Sequence, residues 1–503
     1  MLRGSDALPS GTRYCAKSRI GIAAAVGASF LTVLSPVNAQ TTANFGFTQH
    51  VTYEGGQENE FAATARVWLP AANTPLRGMA VFTMMDSNLA DVTIQRNAAA
   101  AVGFGLIGTS GSLSGMRAID AQRTVDSLMR NAATASGRGQ VANLPIVPIG
   151  FSGGGSDAQS VAQGVPSRTI TYMSNRRAGD VEPDAQVGWT NLSGLYLPGA
   201  IDTNSGARPS FTYSSVMKGG PNNGYTYYPA GYSVREKGGL ATMGVLLGRG
   251  HSNDATNNPA SPGYEFGWYW IARNAAARLP ASAASTTPGN PVALNALSKT
   301  AGWLGEVDQY VTPPNYGFGN TAQDTPGGTS PFKPIAAYAD YTGDKEAASW
   351  MVDRDLAFAY RAAMSNDRSS APRFDSATNA PLNTPLVFTG LTALQSLSQG
   401  DLANLSINPR DFASTGSITQ MAFYDGATLL GTDTVASDGW GISVPLTEAG
   451  IRGLSVIATR SDGQVRTSFR AVSVQAAAVP EPSSLGLLAL AAGALLRRVR
   501  AVR

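Results

Sequence analysis

The chain carries a single cysteine, Cys15, in 503 residues. That residue falls in the expected leader, which would leave the mature chain without a thiol. Disulfides, a cysteine nucleophile and thiolate metal sites are therefore excluded. Histidine is almost as scarce. The only two are His50 and His251, far apart in sequence, which argues against a zinc site and leaves two residues for any imidazole chemistry. Charged residues make up 14% of the chain, well below the usual quarter. Gly, Ala, Ser, Thr and Asn take their place, which suits an exported protein with a neutral polar surface. The net charge is only +3, and Arg497, Arg498, Arg500 and Arg503 carry much of the excess. Without a basic stripe in the interior of the chain, nucleic-acid binding has little support. Long apolar runs are also missing. The two that exist, residues 20–34 and 485–496, are short for a stable membrane span.

The first of these runs has the order of a secretory leader. Arg13, Lys17 and Arg19 precede Ile20 to Leu34, and Val37-Asn38-Ala39 follows as a small-residue cleavage site, giving a mature start near Gln40.

The most informative stretch is Pro145-Ile146-Val147-Pro148-Ile149-Gly150-Phe151-Ser152-Gly153-Gly154-Gly155. An apolar strand ends in G-x-S-x-G and small helix-compatible residues follow. In this strand-turn-helix pattern a serine sits on a strained turn, and glycines two residues to either side avoid collision with the neighbouring elements. The turn exposes Ser152 Oγ and aims the N–H groups of the helix start, Gly153 first, at any oxyanion formed beside it. Ser110 and Ser114 are rival serines without glycines at that spacing. His251 ends the apolar run Leu240 to Leu247 through Gly248-Arg249-Gly250, and Asp202 ends Leu195 to Ile201. Asp180, Glu182 and Asp184 are rival acids in a polar, proline-containing loop. His50 lies in an early alternating strand, Phe47 to Tyr53, paired with Ala63 to Leu69, and reads as structural. Gly78 to Met85 reads as a buried strand, and the α/β-hydrolase resemblance carried by this serine turn implies a second oxyanion N–H at the strand's end, from Met84 or Met85. A helix over residues 116–135 has Ile119, Val125, Leu128 and Met129 on its apolar face. Tyr213, Tyr225, Tyr227, Tyr228 and Tyr232 lie in a Gly/Asn-rich segment that could line a cleft.

Residues from about 45 to 280 resemble an α/β-hydrolase of the secreted esterase or lipase type. The resemblance rests on Gly150 to Gly154, Asp202 and Gly250-His251, in the order Ser, Asp, His and each after a strand. It implies a mostly parallel sheet flanked by helices, a Ser152–His251–Asp202 triad, an ester substrate and no cofactor. The His-Gly-Gly common in lipase-like oxyanion loops is replaced by Thr83-Met84-Met85-Asp86. The reading divides the chain into a leader (1–39), a catalytic domain (40–290), an extension packing on it (291–375), a sandwich (376–476) and a sorting segment (477–503).

In the extension, the carboxylates of Tyr338 to Lys345 read as a structural loop. In the sandwich region, Ile418 to Gly431 is a hairpin pattern with Asp425-Gly426 at its turn. Short strands follow at Gly439–Val444, Gly453–Thr459 and Thr467–Val474. The pattern resembles bacterial immunoglobulin-like domains. The tail, Val479-Pro480-Glu481-Pro482 followed by residues 485–496 and Arg497-Arg498-Val499-Arg500, resembles the PEP-CTERM sorting signal. That resemblance implies a Gram-negative envelope, an exosortase-type processing enzyme and transient membrane anchoring through 485–496. Small esters, polymers and acylated polysaccharides all remain open as substrates. The alternative is a catalytically silent surface protein that binds extracellular polysaccharide.

Overall fold

A computed structural model of the chain describes residues 40–53, 56–72, 74–83, 87–110, 116–179, 181–199, 202, 208–218, 233–246, 250–251, 262–281, 291–307, 309–311, 325–327, 332–365, 386–413 and 416–476. The leader, the sorting segment, Met84, Met85 and Asp180 lie outside the described residues, as do Ser114 and the four tyrosines from Tyr225 to Tyr232.

The chain opens with a long hairpin, β1 (Thr41–Thr52) and β2 (Glu58–Leu69). β3 (Gly78–Phe82), α1 (Thr93–Ala101), β4 (Phe104–Ser110), α2 (Ala118–Ser136), β5 (Ile146–Phe151), α3 (Gly153–Gly164), β6 (Tyr172–Asn175) and β7 (Ser193–Leu197) follow. α4 (Pro209–Val216), β8 (Leu240–Met243) and α5 (Pro262–Arg278) complete this part. The eight strands form one sheet in the order β1-β2-β4-β3-β5-β6-β7-β8. β2 runs antiparallel to both neighbours, and every pair from β4 through β8 is parallel. This is the mixed α/β class with a mostly parallel sheet that the sequence implied. β3, β5, β6, β7 and β8 are buried along their whole length, as expected of strands covered by helices on both faces. One face carries Val67, Met79, Ile146 and the Val125, Leu128 and Met129 side of α2. Ile119 departs from the expected apolar face. It is 51% exposed, because the buried face of α2 runs through Ala118, Ala121, Val125 and Leu128 and leaves position 119 off it.

Both edges of the sheet are closed by side chains. The outward N–H groups of Thr48, His50 and Thr52 on β1 donate to Ser127 Oγ, Thr124 Oγ1 and Asp120 Oδ2 at 2.9, 3.0 and 2.9 Å. Alternate strand residues meet acceptors at about one-turn spacing on α2, so the strand edge cannot template another chain. At the other edge, Met243 N–H donates to Ser349 Oγ at 2.9 Å and the Tyr360 hydroxyl donates to Met243 O at 3.1 Å.

Ser349 and Tyr360 belong to the next segment. Here β9 (Trp303–Glu306) pairs with β12 (Ile335–Ala337) and β13 (Ala348–Met351), β10 (Gln309–Val311) pairs with β11 (Thr325–Gly327), and α6 spans Arg354–Met364. The Asp353 carboxylate caps α6 by accepting Leu356 N–H at 2.8 Å.

The C-terminal part is all-β. One sheet is β14 (Val387–Phe388), β16 (Leu402–Asn408) and β19 (Trp440–Pro445). The other is β15 (Gln395–Ser398), β21 (Val465–Gln475), β20 (Gly450–Arg460), β17 (Ile418–Asp425) and β18 (Thr428–Asp433). The Asp425-Gly426 turn joins β17 to β18 as the sequence pattern predicts.

β20 and β21 are covered on both faces. Leu454, Val456, Val472 and Val474 fill the sandwich core, while Ile451 and Ala471 join the core of the large sheet with Phe266, Tyr269 and Leu356. Gly453 lies flat under the Tyr269 ring, where a Cβ would collide.

Candidate active site

β5 delivers Ser152 at the C-terminal edge of the sheet, between the strand and α3. The turn is too tight for side chains: a Cβ on Gly150 would overlap the Gly154 carbonyl. Ser152 itself has φ 53° and ψ −127°, a conformation that costs a non-glycine residue about 1–3 kcal/mol. Two bonds hold it there. Ser152 N–H donates to Asn175 O at 2.9 Å, tying the turn to the end of β6. The Thr83 hydroxyl donates to Gly154 O at 2.8 Å, tying it to the end of β3.

β7 and β8 lie side by side, and their extensions stay together through the Gly199–Leu246 bridge and the Leu246 N–H to Pro198 O bond of 2.9 Å. That pairing brings the loops bearing Asp202 and His251 into contact. Ser152 Oγ stands 2.9 Å from His251 Nε2, and His251 Nδ1 stands 2.9 Å from Asp202 Oδ2. The Asp202 carboxylate has no solvent exposure, while the imidazole is 27% exposed. The acid is thus shielded beneath a histidine that opens to the surface. The Phe151 ring lies 5.6 Å from the imidazole, tilted by 51°.

The other candidates are engaged elsewhere. His50 Nδ1 pairs with Glu60 at 3.3 Å on the β1–β2 hairpin. Glu182 accepts from Ser160 Oγ at 2.7 Å, and Asp184 accepts Ile119 N–H at 3.0 Å. Ser110 Oγ donates to Thr64 O at 3.1 Å. Tyr213 is buried in a cluster with Val216 and Met217. Gly153 is the first residue of α3, so its N–H is one of the first-turn donors that have no acceptor within the helix. Among the described residues no group of three or more His, Cys, Asp or Glu side chains is placed to hold a metal ion.

Sequence reasoning missed the residues that brace the site. Arg176 is fully buried with φ 63°, and Thr83 and Asn175 are also fully buried. Nothing in Asn175-Arg176-Arg177 marks this burial, because the carbonyls that Arg176 bonds belong to segments distant in sequence.

No protein-family model matches the chain, and no curated protein matches it. Solved structures do. An esterase domain from a Rhodothermus marinus protein is 15% identical, with 46% of this chain and 98% of that one covered at a TM-score of 0.27. Est1E from Butyrivibrio proteoclasticus is 8% identical, with 45% and 96% covered at 0.26. Fibronectin(III)-like modules of Clostridium thermocellum CbhA are 24% identical, with 18% and 93% covered at 0.16.

Proposed function

We propose that the protein is a serine hydrolase of the α/β-hydrolase type that cleaves carboxylic esters through an acyl-enzyme. The observation that carries this reading is the pair of 2.9 Å contacts running from Ser152 Oγ through His251 to the buried Asp202 carboxylate. His251 Nε2 takes the Ser152 proton as Oγ attacks the ester carbonyl. Asp202 accepts from Nδ1–H, which fixes the tautomer and stabilises the imidazolium. Gly153 N–H supplies one oxyanion donor, and Met84 or Met85 is the expected second. Collapse of the tetrahedral intermediate expels the alcohol, which takes its proton from His251. Water then enters by the same route and releases the acid. The strained Ser152 backbone supports the assignment, because such strain persists where the surrounding structure over-determines it.

The test is labelling of the chain from Gln40 with a fluorophosphonate, with peptide mapping and p-nitrophenyl ester turnover. A label on Ser152, and loss of both label and turnover in Ser152→Ala, is the expected result. Wild-type turnover in Ser152→Ala would refute it.

The ends of the chain extend the proposal. Export through residues 1–39, and sorting by an exosortase-type enzyme at the Pro-Glu-Pro tail, would deliver an envelope or extracellular hydrolase of a Gram-negative cell. The two-sheet C-terminal unit is read as immunoglobulin-like. Mass spectrometry of the protein recovered from the native envelope checks both ends.

A further inference from the structure

Three loops must meet for the site to exist, and one dipeptide touches all three. Asn175 O accepts Ser152 N–H at 2.9 Å. Arg176 N–H donates to Leu197 O at 3.2 Å, and Arg176 Nη1 donates to the same oxygen at 2.8 Å. Leu197 is the last residue of β7, at the root of the Asp202 loop. Arg176 Nε donates to Gly250 O at 3.1 Å, and Gly250 directly precedes His251. We infer that Arg176 is the positioning residue of this active site, holding the acid loop and the histidine loop at the spacing that the relay requires. The inference rests on the serine-hydrolase reading.

The chemistry favours arginine specifically. The planar guanidinium presents several donors in a fixed fork, so one side chain spans two carbonyls on different loops. A lysine ammonium is a compact point charge and does not reproduce that span. The backbone argues in the same direction. Arg176 sits at φ 63°, where a side chain costs energy and glycine would be preferred. A fully buried, charged side chain in a conformation that disfavours side chains is retained against two penalties. The bonds to Leu197 O and Gly250 O are what it supplies in return. In this reading Arg176 acts through the position of His251.

The left-handed backbone makes a clean variant available. Arg176→Gly removes the fork and relieves the strain, so the chain is expected to fold. The probes are the rate of fluorophosphonate labelling at Ser152, kcat and KM for a p-nitrophenyl ester, and the downfield proton resonance of His251 Nδ1–H. A misplacement of about 1 Å costs roughly 100-fold in rate. Labelling and kcat should therefore fall by about that factor with KM little changed, and the His251 resonance should be lost or broadened. Guanidinium chloride well below denaturing concentration should restore part of the rate in Arg176→Gly and none in wild type. Arg176→Lys, which keeps the charge, should remain slow. A merely structural role would give neither the split between kcat and KM nor the rescue. Wild-type labelling, kcat and His251 resonance in folded Arg176→Gly, or full activity in Arg176→Lys, would overturn the inference and leave the hydrolase reading intact. An unlabelled wild-type Ser152 would overturn both.

Discussion

Glu265, in the first turn of α5, accepts the Ala471 N–H of β21 at 2.7 Å, and its carboxylate lies 3.4 Å from Arg470 Nη1. The helix that follows His251 in sequence is thereby bonded to the C-terminal sandwich. Burial pushes the Glu265 carboxyl up from 4.5 to about 7, against the opposing pull of Arg470 and the Ala471 N–H. A folded value above the unfolded one means that the folded state binds the proton more tightly. This contribution to stability is fully present below about pH 4.5 and is lost as pH rises toward about 7. It amounts to roughly 3 kcal/mol at most. Glu265→Gln keeps an acceptor for Ala471 N–H and cannot ionise. Thermal unfolding across this pH window should show wild type losing stability relative to Glu265→Gln as pH rises. Parallel curves would refute the assignment.

The sandwich walls the core of the large sheet. Phe469 packs edge-on against Phe266 at 5.7 Å and tilted against Tyr269 at 5.9 Å. Ser473 Oγ donates to Asn97 O of α1 at 3.1 Å, and Thr467 Oγ1 donates to Ala362 O of α6 at 2.9 Å. Ending the chain at residue 385 would expose these faces of α1, α5 and α6 together. The truncated chain is expected to aggregate or to lose cooperative unfolding, as read by size exclusion and calorimetry. A soluble, fully active truncation would show that the sandwich is a tethered module.

The conformation of Ser152 sets activity against stability. Ser152→Ala keeps the side-chain penalty at φ 53°, whereas Ser152→Gly removes it. Both variants should be inactive. The glycine variant should unfold later than the alanine variant, by about 1 kcal/mol or more. Equal melting temperatures would mean that the turn stores no strain.

The role proposed for Asp202 can be measured separately. Asp202→Asn preserves volume and burial but presents an amide to His251 Nδ1. If Asp202 holds the tautomer, kcat should drop by about 10⁴-fold while Ser152 remains in place. Variants at Glu182 and Asp184, which bond to Ser160 and to the start of α2, should leave kcat within a few-fold of wild type. A large kcat loss at either would point to a different acid.

Much of this molecule was legible before folding. Gly150-Phe151-Ser152-Gly153-Gly154 announced a strand-turn-helix because only glycine fits beside the Gly154 carbonyl. The apolar runs before Ser152 and His251 marked buried parallel strands, and Asp425-Gly426 marked a hairpin. These are local signals, written in which residues a backbone conformation tolerates. Tertiary structure decided what depends on elements distant in sequence. Asp202 lies five residues past the end of β7, and it meets His251 only because β7 and β8 are neighbours whose extensions bridge at Gly199 and Leu246. No local pattern singles out Arg176, because burial of a guanidinium is settled by carbonyls on two other segments. β20 and β21 carried the alternation of ordinary sandwich strands, with Gly453, Ser455, Ala471 and Ser473 on one side. What covers that small-residue face is decided by the packing of α1 and α5 on it, since a sequence records which side chains allow close approach and not what approaches.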